Sequence, residues 1–151
     1  KDYCDYETCV ALKKLGYKEK TLAYYTSEGI FYWRRAYIYD VAIPDLAKSS
    51  NKELYKHVLD AVSLYEAQKW LREEKAIIVE ANFDLMYKGQ PRFSWRVLYN
   101  LTQHKGCYYT FDSVESKVDY DSYEEALSEG IKKAIKILKE KQDGKDSNTC
   151  Q

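Results

Sequence analysis

Arginine and aromatic residues recur together in two short segments, and these residues are the best candidates for chemistry in the sequence. Residues 29–40 read GIFYWRRAYIYD and residues 92–101 read RFSWRVLYNL, and both segments contain Phe-x-Trp-Arg-x-x-Tyr. Arginine forms paired hydrogen bonds with phosphate or carboxylate groups, and tyrosine or tryptophan stacks on a base or packs against a protein. The two segments therefore predict a recognition surface for a protein or for an anionic ligand.

The cysteines and histidines form no familiar metal-binding or nucleophilic pattern. They are Cys4, Cys9, Cys107, Cys150, His57 and His104. A zinc site would have to combine His104-x-x-Cys107 with the two early cysteines, at a spacing that structural zinc sites do not use. Cys9 falls on the apolar face of a predicted helix, where a cysteine is usually a small buried hydrophobe. We therefore predict no metal and no cofactor.

Catalytic signatures are missing from the sequence as well. It contains no phosphate-binding glycine loop, no Gly-x-Ser-x-Gly and no His-Glu-x-x-His. The pair His104 and Cys107 has no third group that would orient it as a nucleophile and base. The carboxylates between Asp112 and Asp121 are interpreted as loop and capping residues, although a two-carboxylate or metal-dependent site stays open. We predict that the protein is not an enzyme.

Composition restricts the class of protein and of partner. The 151 residues suit a single domain, predicted over residues 1–142, with a flexible tail over 143–151. The chain has 24 Lys and Arg against 24 Asp and Glu, and this balance argues against binding nucleic acid through its phosphates. No apolar run is long enough to span a membrane, and no signal-peptide pattern is visible. We expect a cytoplasmic protein.

The elements that must position these residues follow from periodicity and capping signals, in the order helix, hairpin, helix, hairpin, helix. The predicted elements of the first half are a helix from Asp5 to Leu15, ended by Gly16, and a hairpin with strands over residues 21–26 and 30–39. Residues 40–63 are the least readable part, with a short helix predicted over 52–59. Asp5 is a helix cap, and Gly29 closes the turn between the two strands.

The second half has stronger signals. Its predicted elements are a helix over residues 63–74, a strand over 76–87, a turn over 88–91, a strand over 92–101 and a helix over 122–141. Ser63 and Ser122 each begin a capping box with a glutamate three residues later. Residues 102–120 are predicted to be a loop with a short strand near 108–111. Gly130 lies within the apolar stripe of the last helix, which predicts close packing against a sheet.

Together these elements predict an α+β fold, in which an antiparallel sheet of about four strands is covered by helices on one face. The two aromatic motifs, the two capping boxes and the glycines before the motifs recur at similar spacing. This recurrence indicates a duplicated α-β-β unit, although chance similarity explains it as well.

Strand alternation divides each aromatic motif between two faces. Phe31, Trp33, Phe93 and Trp95 are predicted to face the helices. The open face would carry the binding residues, which are Tyr32, Arg34, Arg35, Arg92 and Arg96, although Arg35 falls out of the alternation. Leu98 is assigned to the same open face. An ordinary solvated face, or burial of this face in a homo-oligomer, is the alternative.

Three segments carry a resemblance to a protein family: LKKLGY, SLYEAQKWLREE and YDSYEEALSEGIKKAIKIL. Together they resemble a group of small uncharacterised proteins of Bacteroides-type bacteria and of their phages and mobile elements, over about residues 5–138. No activity is established for that group, and so no site residue is carried over. The resemblance implies an accessory gene that acts in the bacterial host cell.

Three functions follow as hypotheses. The first is a non-catalytic accessory protein that docks on a host or phage protein through the aromatic and arginine-bearing sheet face. The second is a sponge for a nucleotide-like anionic ligand in phage counter-defence, since arginine can bind phosphate while tyrosine stacks on the base. The third is a hydrolase that uses carboxylates or a metal.

Overall fold

A computed structural model describes residues 2–33, 59–104, 108–116 and 119–146. Arg34, Arg35 and the short helix predicted over 52–59 lie outside the described residues, apart from Leu59. Contacts divide the chain into two compact units. We call residues 3–63 the first unit, and we call residues 64–151 with the first two residues the second unit.

The described residues form three helices and six strands. The helices are α1 (Tyr6–Lys14), α2 (Leu64–Lys75) and α3 (Tyr123–Asp146), and the strands are β1 (Ala23–Tyr25), β2 (Phe31–Trp33), β3 (Leu59–Asp60), β4 (Ile78–Tyr87), β5 (Gln90–His104) and β6 (Tyr108–Glu115). The α+β class is confirmed, and the predicted helices and hairpins occur in the predicted order, with β3 and β6 as additional strands after the two hairpins. Helix α3 ends five residues later than predicted.

The strands belong to two antiparallel sheets, one in each unit. Among the described residues, the first sheet has the order β2-β1-β3 and the second has the order β4-β5-β6. The two hairpins therefore differ in placement, because the central strand is the first strand of one hairpin and the second strand of the other. Periodicity predicts strands but not their partners, and duplication stays a prediction.

Helix α1 begins with the predicted cap. The Asp5 carboxylate accepts a hydrogen bond from the Thr8 amide at 2.8 Å. Cys4 and Cys9 flank this cap, and both are buried, as predicted for Cys9. Their positions, one residue before the cap and four residues into the helix, are those of the hydrophobic staple that fixes how a chain enters a helix. The Tyr25 hydroxyl donates to the Cys4 carbonyl at 2.6 Å, which ties β1 to this helix start.

The turn between β4 and β5 is shorter than predicted. It consists of Lys88 and Gly89, with φ angles of 49° and 78°, and Gln90 and Pro91 belong to β5. Proline is tolerated in a strand where its missing N–H would point away from the neighbouring strand. Phe93, two residues on, exchanges hydrogen bonds with Tyr120 on the side away from β4. The backbone at Pro91 therefore faces the same way, and no β4–β5 bond is lost.

Strand β6 corrects the predicted loop over residues 102–120. It is a full strand of eight residues that pairs with β5 from Arg96 opposite Glu115 to His104 opposite Tyr108. Two features hide it in the sequence. Its residues lack a clear apolar alternation, and the register shifts between Tyr99 and Thr102, where Asn100 has a φ of 54°. A bulge of this kind interrupts the period of two on which strand prediction depends.

Helix α3 packs directly on the second sheet at Gly130, as predicted. A methyl group added at Gly130 would lie 2.8 Å from Cγ1 of Val79 and 3.2 Å from Cβ of Trp95. Val79 is on β4 and Trp95 is on β5, and so the helix backbone crosses both strands at van der Waals distance. Ile131 and Ala134, in the same apolar stripe, are fully buried.

Substitution of Gly130 by alanine should therefore destabilise the protein. Overpacking a close contact costs about 1–3 kcal/mol, which exceeds the gain of about 1 kcal/mol that alanine brings to a helix interior. Chemical denaturation would measure the change in the free energy of unfolding. In a Val79→Ala background the same substitution should cost less, because the clashing methyl group is gone. Equal costs in both backgrounds would contradict the packing described above.

The stability of the first unit should also depend on pH through Tyr25. Burial raises the pKa of Tyr25 from 10.0 to about 12. Because the folded-state pKa lies above the unfolded value, the stabilisation is complete below pH 10 and is lost as the pH rises towards 12. Tyr25→Phe should cost about 0.5–1.5 kcal/mol at neutral pH through its lost hydrogen bond. The difference in unfolding free energy between wild type and Tyr25→Phe should shrink over this alkaline range. Parallel curves would contradict the assignment, and Tyr65→Phe, at an exposed position, is the control.

Candidate functional site

An exposed apolar cluster of the second unit lies where the β4–β5 hairpin extends past the start of α3. Its members, named here the hairpin patch, are Phe83, Met86, Phe93 and Tyr123. Phe83 is 58% exposed, Met86 59% and Tyr123 40%, and Phe93 is half-buried among them. All four lie on the helix-bearing side of the sheet. Isolated exposed apolar residues are ordinary, but a contiguous cluster is typical of a contact surface.

Phe93 joins the aromatic members of the hairpin patch. Its ring centroid lies 6.2 Å from that of Phe83 at an interplanar angle of 80°, and 6.3 Å from that of Tyr123 at 88°. Both are edge-to-face contacts, which aromatic pairs favour. One strand residue therefore orients a ring on the neighbouring strand and a ring on the helix.

A β-bulge decides which residues of β4 reach this side. The pairing moves from Phe83 opposite Phe93 to Leu85 opposite Arg92, which leaves Asp84 as an extra residue. Met86 then pairs with Pro91, two residues from Phe93, and so shares the side of Phe93. Regular alternation would place Met86 on the side opposite Phe83, and the bulge reverses this order of sides. Reasoning from the sequence missed Met86 for the same reason.

The segment that precedes α3 holds the patch together. Phe93 and Tyr120 exchange two backbone hydrogen bonds, at 3.0 and 2.7 Å. The indole N–H of Trp95 donates to the Tyr120 hydroxyl at 3.2 Å. The Ser122 hydroxyl accepts from the Glu125 amide at 3.1 Å, which confirms the predicted cap. These contacts fix the first turn of α3, and with it Tyr123, beside β5.

The two described arginines among the predicted binding residues both contact carboxylates of this chain. The Arg92 guanidinium forms an ion pair with Asp121 and lies 5.9 Å from the centre of the Tyr87 ring. Nε and Nη2 of Arg96 donate to Oε2 of Glu80 at 2.9 and 2.7 Å. Arg96 and Glu80 are directly opposite each other on β5 and β4. In this structure Arg96 therefore pairs across the sheet, and Arg92 binds the residue just before the cap of α3.

Tyr32 belongs to the other sheet. It lies on β2 in the first unit, where its ring stacks on Tyr24 at 5.7 Å and 22°. A single sheet face that carries Tyr32 together with Arg92 and Arg96 is therefore not what the structure shows. Arg34 and Arg35 lie outside the described residues. The predicted surface is divided because its strands belong to two sheets rather than one.

Two further assignments from alternation are wrong, and one is confirmed. Trp33 was expected to face the helices but is 55% exposed, with its ring edge-to-face against Tyr3 and Phe31. Leu98 was expected on the open face but is 8% exposed. Trp95 does face α3, at Gly130. The shared motif therefore occupies two different environments, one on a half-exposed short strand and one in the centre of a sheet.

The cysteines of the described part of the chain are packed inside the first unit. The Val62 amide donates to Sγ of Cys9 at 3.4 Å. A hydrogen bond from the Cys4 thiol, together with that amide, lowers the pKa of Cys9, and the same thiol contact and burial raise the pKa of Cys4. Both thiols are almost fully buried, and buried thiols are usually unreactive.

Neither metal ligation nor membrane insertion is indicated where the structure describes the chain. No three His, Cys, Asp or Glu side chains among the described residues come together as a metal-binding group. No described helix is long and apolar enough to cross a membrane. Comparisons of this chain with protein-family models, curated proteins and solved structures find no match.

Substitutions in the hairpin patch should separate its exposed members from the residue that anchors it. Met86→Ser removes an exposed side chain and should change the free energy of unfolding by less than about 0.5 kcal/mol. Phe93→Ser removes two aromatic contacts worth about 0.5–1.5 kcal/mol each, as well as buried area, and should cost clearly more. Thermal and chemical denaturation would measure both. Equal costs would show that Phe93 does not organise the patch.

Proposed function

We propose that this protein is a non-catalytic accessory binding protein, and that it docks on another protein through the hairpin patch. The observation that carries the proposal is the exposure of Phe83, Met86 and Tyr123 around Phe93, in a cluster held by hydrogen bonds. Aromatic residues and methionine are enriched at protein interfaces, where they bury large apolar areas. The resemblance noted in the sequence supports a partner from the bacterial host or a phage, in the bacterial cytoplasm.

The charges near the patch favour a protein over a polyanion. The sequence around the hairpin turn carries both signs, with Asp84 in the bulge, Lys88 in the turn and the Arg92–Asp121 ion pair beside them. An apolar centre with a mixed-charge rim is the usual anatomy of a protein interface. The zero net charge of the chain points the same way, since binding to phosphates usually needs a basic excess.

The state of the arginines weighs on the nucleotide-sponge alternative. A bound phosphate would have to replace Glu80 at Arg96 or Asp121 at Arg92. Such exposed ion pairs are individually weak, at about 0–1 kcal/mol, and so a tightly binding phosphate could displace the carboxylate. A protein that binds at the hairpin patch would displace neither carboxylate. For this reason the proposal rests on the patch, and retention of a nucleotide is one of the outcomes to be tested.

Native mass spectrometry and affinity measurement would test the proposal. The tagged chain, purified from a Bacteroides-type bacterium, should retain one stoichiometric protein, which is then identified and purified. Phe83→Ser combined with Met86→Ser should weaken binding of that protein by about tenfold or more, because loss of central apolar contacts has the largest effect at interfaces. Tyr65→Ser is the matched control, since Tyr65 is 68% exposed on α2.

Three other results would count against the proposal. Wild-type affinity in the double variant would refute docking through the hairpin patch. Retention of a nucleotide in place of a protein, with loss of that nucleotide in Arg96→Gln, would favour the sponge. Hydrolytic activity that disappears with a chelator would favour the hydrolase.

A further inference from the structure

We propose that the partner binds as an extended strand along the outer edge of β4, with its backbone paired to Ala81 and Phe83. This inference rests on the proposed function, because it describes how a protein partner would reach the hairpin patch. It differs from that function in its main contact, which is backbone hydrogen bonding rather than side-chain burial. Addition of a strand to a free sheet edge is a common way of recognising extended peptides.

The direction of the backbone groups on β5 shows which groups of β4 face outward. The N–H and C=O groups of Phe93 bond to Tyr120, and those of Trp95 bond to Ser116, on the side away from β4. In an antiparallel pair, residues directly opposite each other direct their backbone groups alike, either both towards or both away from the partner strand. Phe83 is opposite Phe93, and Ala81 is opposite Trp95. The backbone groups of Ala81 and Phe83 therefore point away from β5.

A side chain of α2 confirms this direction two residues earlier. Nε2 of Gln68 donates to the carbonyl oxygen of Val79 at 2.8 Å. Val79 lies an even number of residues before Ala81 and Phe83 along β4, and so its carbonyl also points away from β5. Gln68 satisfies the outward carbonyl of Val79, and no backbone group in the described part of the chain pairs with the outer edge at Ala81 and Phe83. Two N–H donors and two C=O acceptors are thus presented in the order that an extended backbone matches.

The adjacent side chains indicate what the added strand would contain. Ala81 and Phe83 face the helix-bearing side, and Met86 follows them past the bulge. Alternate side chains of an added strand would therefore lie next to Phe83, and apolar residues there would extend the hairpin patch. Proline is excluded where the partner must donate an N–H. The chemistry fits an extended segment of another protein with apolar residues at alternate positions.

The bulge at Asp84 limits the length of this contact. An extra residue bends a strand and changes its twist, which disrupts regular pairing beyond it. Edge strands often carry a bulge or a charge, which discourages uncontrolled association of long edges. Here the usable edge lies between Gln68 at one end and Asp84 at the other. The site would therefore pair with a short segment.

Amide exchange and a proline substitution in the free protein test the edge itself. The amides of Ala81 and Phe83 should exchange faster than those of Glu80 and Asn82, which point towards β5. Ala81→Pro removes an outward N–H and should leave the melting temperature close to that of the wild type. Asn82→Pro removes a β4–β5 hydrogen bond and should lower the melting temperature strongly. Slow exchange at Ala81, or unfolding of Ala81→Pro, would overturn the inference, because the edge would then be paired within the chain.

Short random peptides displayed on phage, and selected on the immobilised protein, provide a defined probe. We expect the enriched peptides to carry alternating apolar residues, and to bind Ala81→Pro at least about tenfold more weakly than wild type. A selected peptide should also slow exchange at the Ala81 and Phe83 amides. Failure to enrich any peptide, or equal binding to Ala81→Pro, would overturn it.

Two variants separate the failure of this inference from the failure of the proposed function. If Phe83→Ser with Met86→Ser weakens binding of the purified partner while Ala81→Pro does not, then the hairpin patch binds a protein without strand addition. If neither variant weakens binding, both proposals fail. If both variants weaken binding and Tyr65→Ser does not, both proposals are supported.

Discussion

The close approach of α3 to the second sheet at Gly130 is the contact on which the rest of this unit depends. Without a side chain at that position, the helix backbone lies against Val79 on β4 and Trp95 on β5. The helix begins about two turns earlier, at Tyr123, and its first turn is held to β5 through Tyr120. The hairpin continues past this point, and among the described residues α3 begins too late to cover Phe83 and Met86, which are exposed. Exposure of the patch is thus a consequence of where α3 begins.

The arginines show how a residue type can suggest one role while its neighbours assign another. Arg96 lies directly opposite Glu80, where cross-strand pairs of opposite charge stabilise a sheet. Arg92 holds Asp121, the residue before the Ser122 cap, and so helps to position the helix start. Charge near a binding surface can act in this indirect way, by ordering the backbone that carries the apolar contacts. The candidate surface therefore depends on aromatic side chains, while the arginines support the frame.

Local signals predicted the local structure well. Asp5, Gly16, Gly29 and Ser122 mark their caps and turns correctly, because each acts through backbone groups a few residues away. Long-range pairing was not predictable, because the residues of β2 and β5 do not indicate which strand lies beside each of them. The described strands therefore form two sheets where the sequence predicted one. The sequence indicated only part of the hairpin patch, because Phe93 belongs to the aromatic motif. Met86 was hidden by a bulge that no sequence period reveals.

The Lys88–Gly89 turn also bears on how the two units fold. In the second unit β4, β5, β6 and α3 are neighbours both in sequence and in space, and a two-residue turn starts their pairing. Local contacts need little loop closure, and hairpins of this kind form within about microseconds. In the first unit β1 must find β3 from the far end of its sequence, at Tyr24 opposite Asp60. We expect the second unit to form early during folding and the β1–β3 pairing to be a late step.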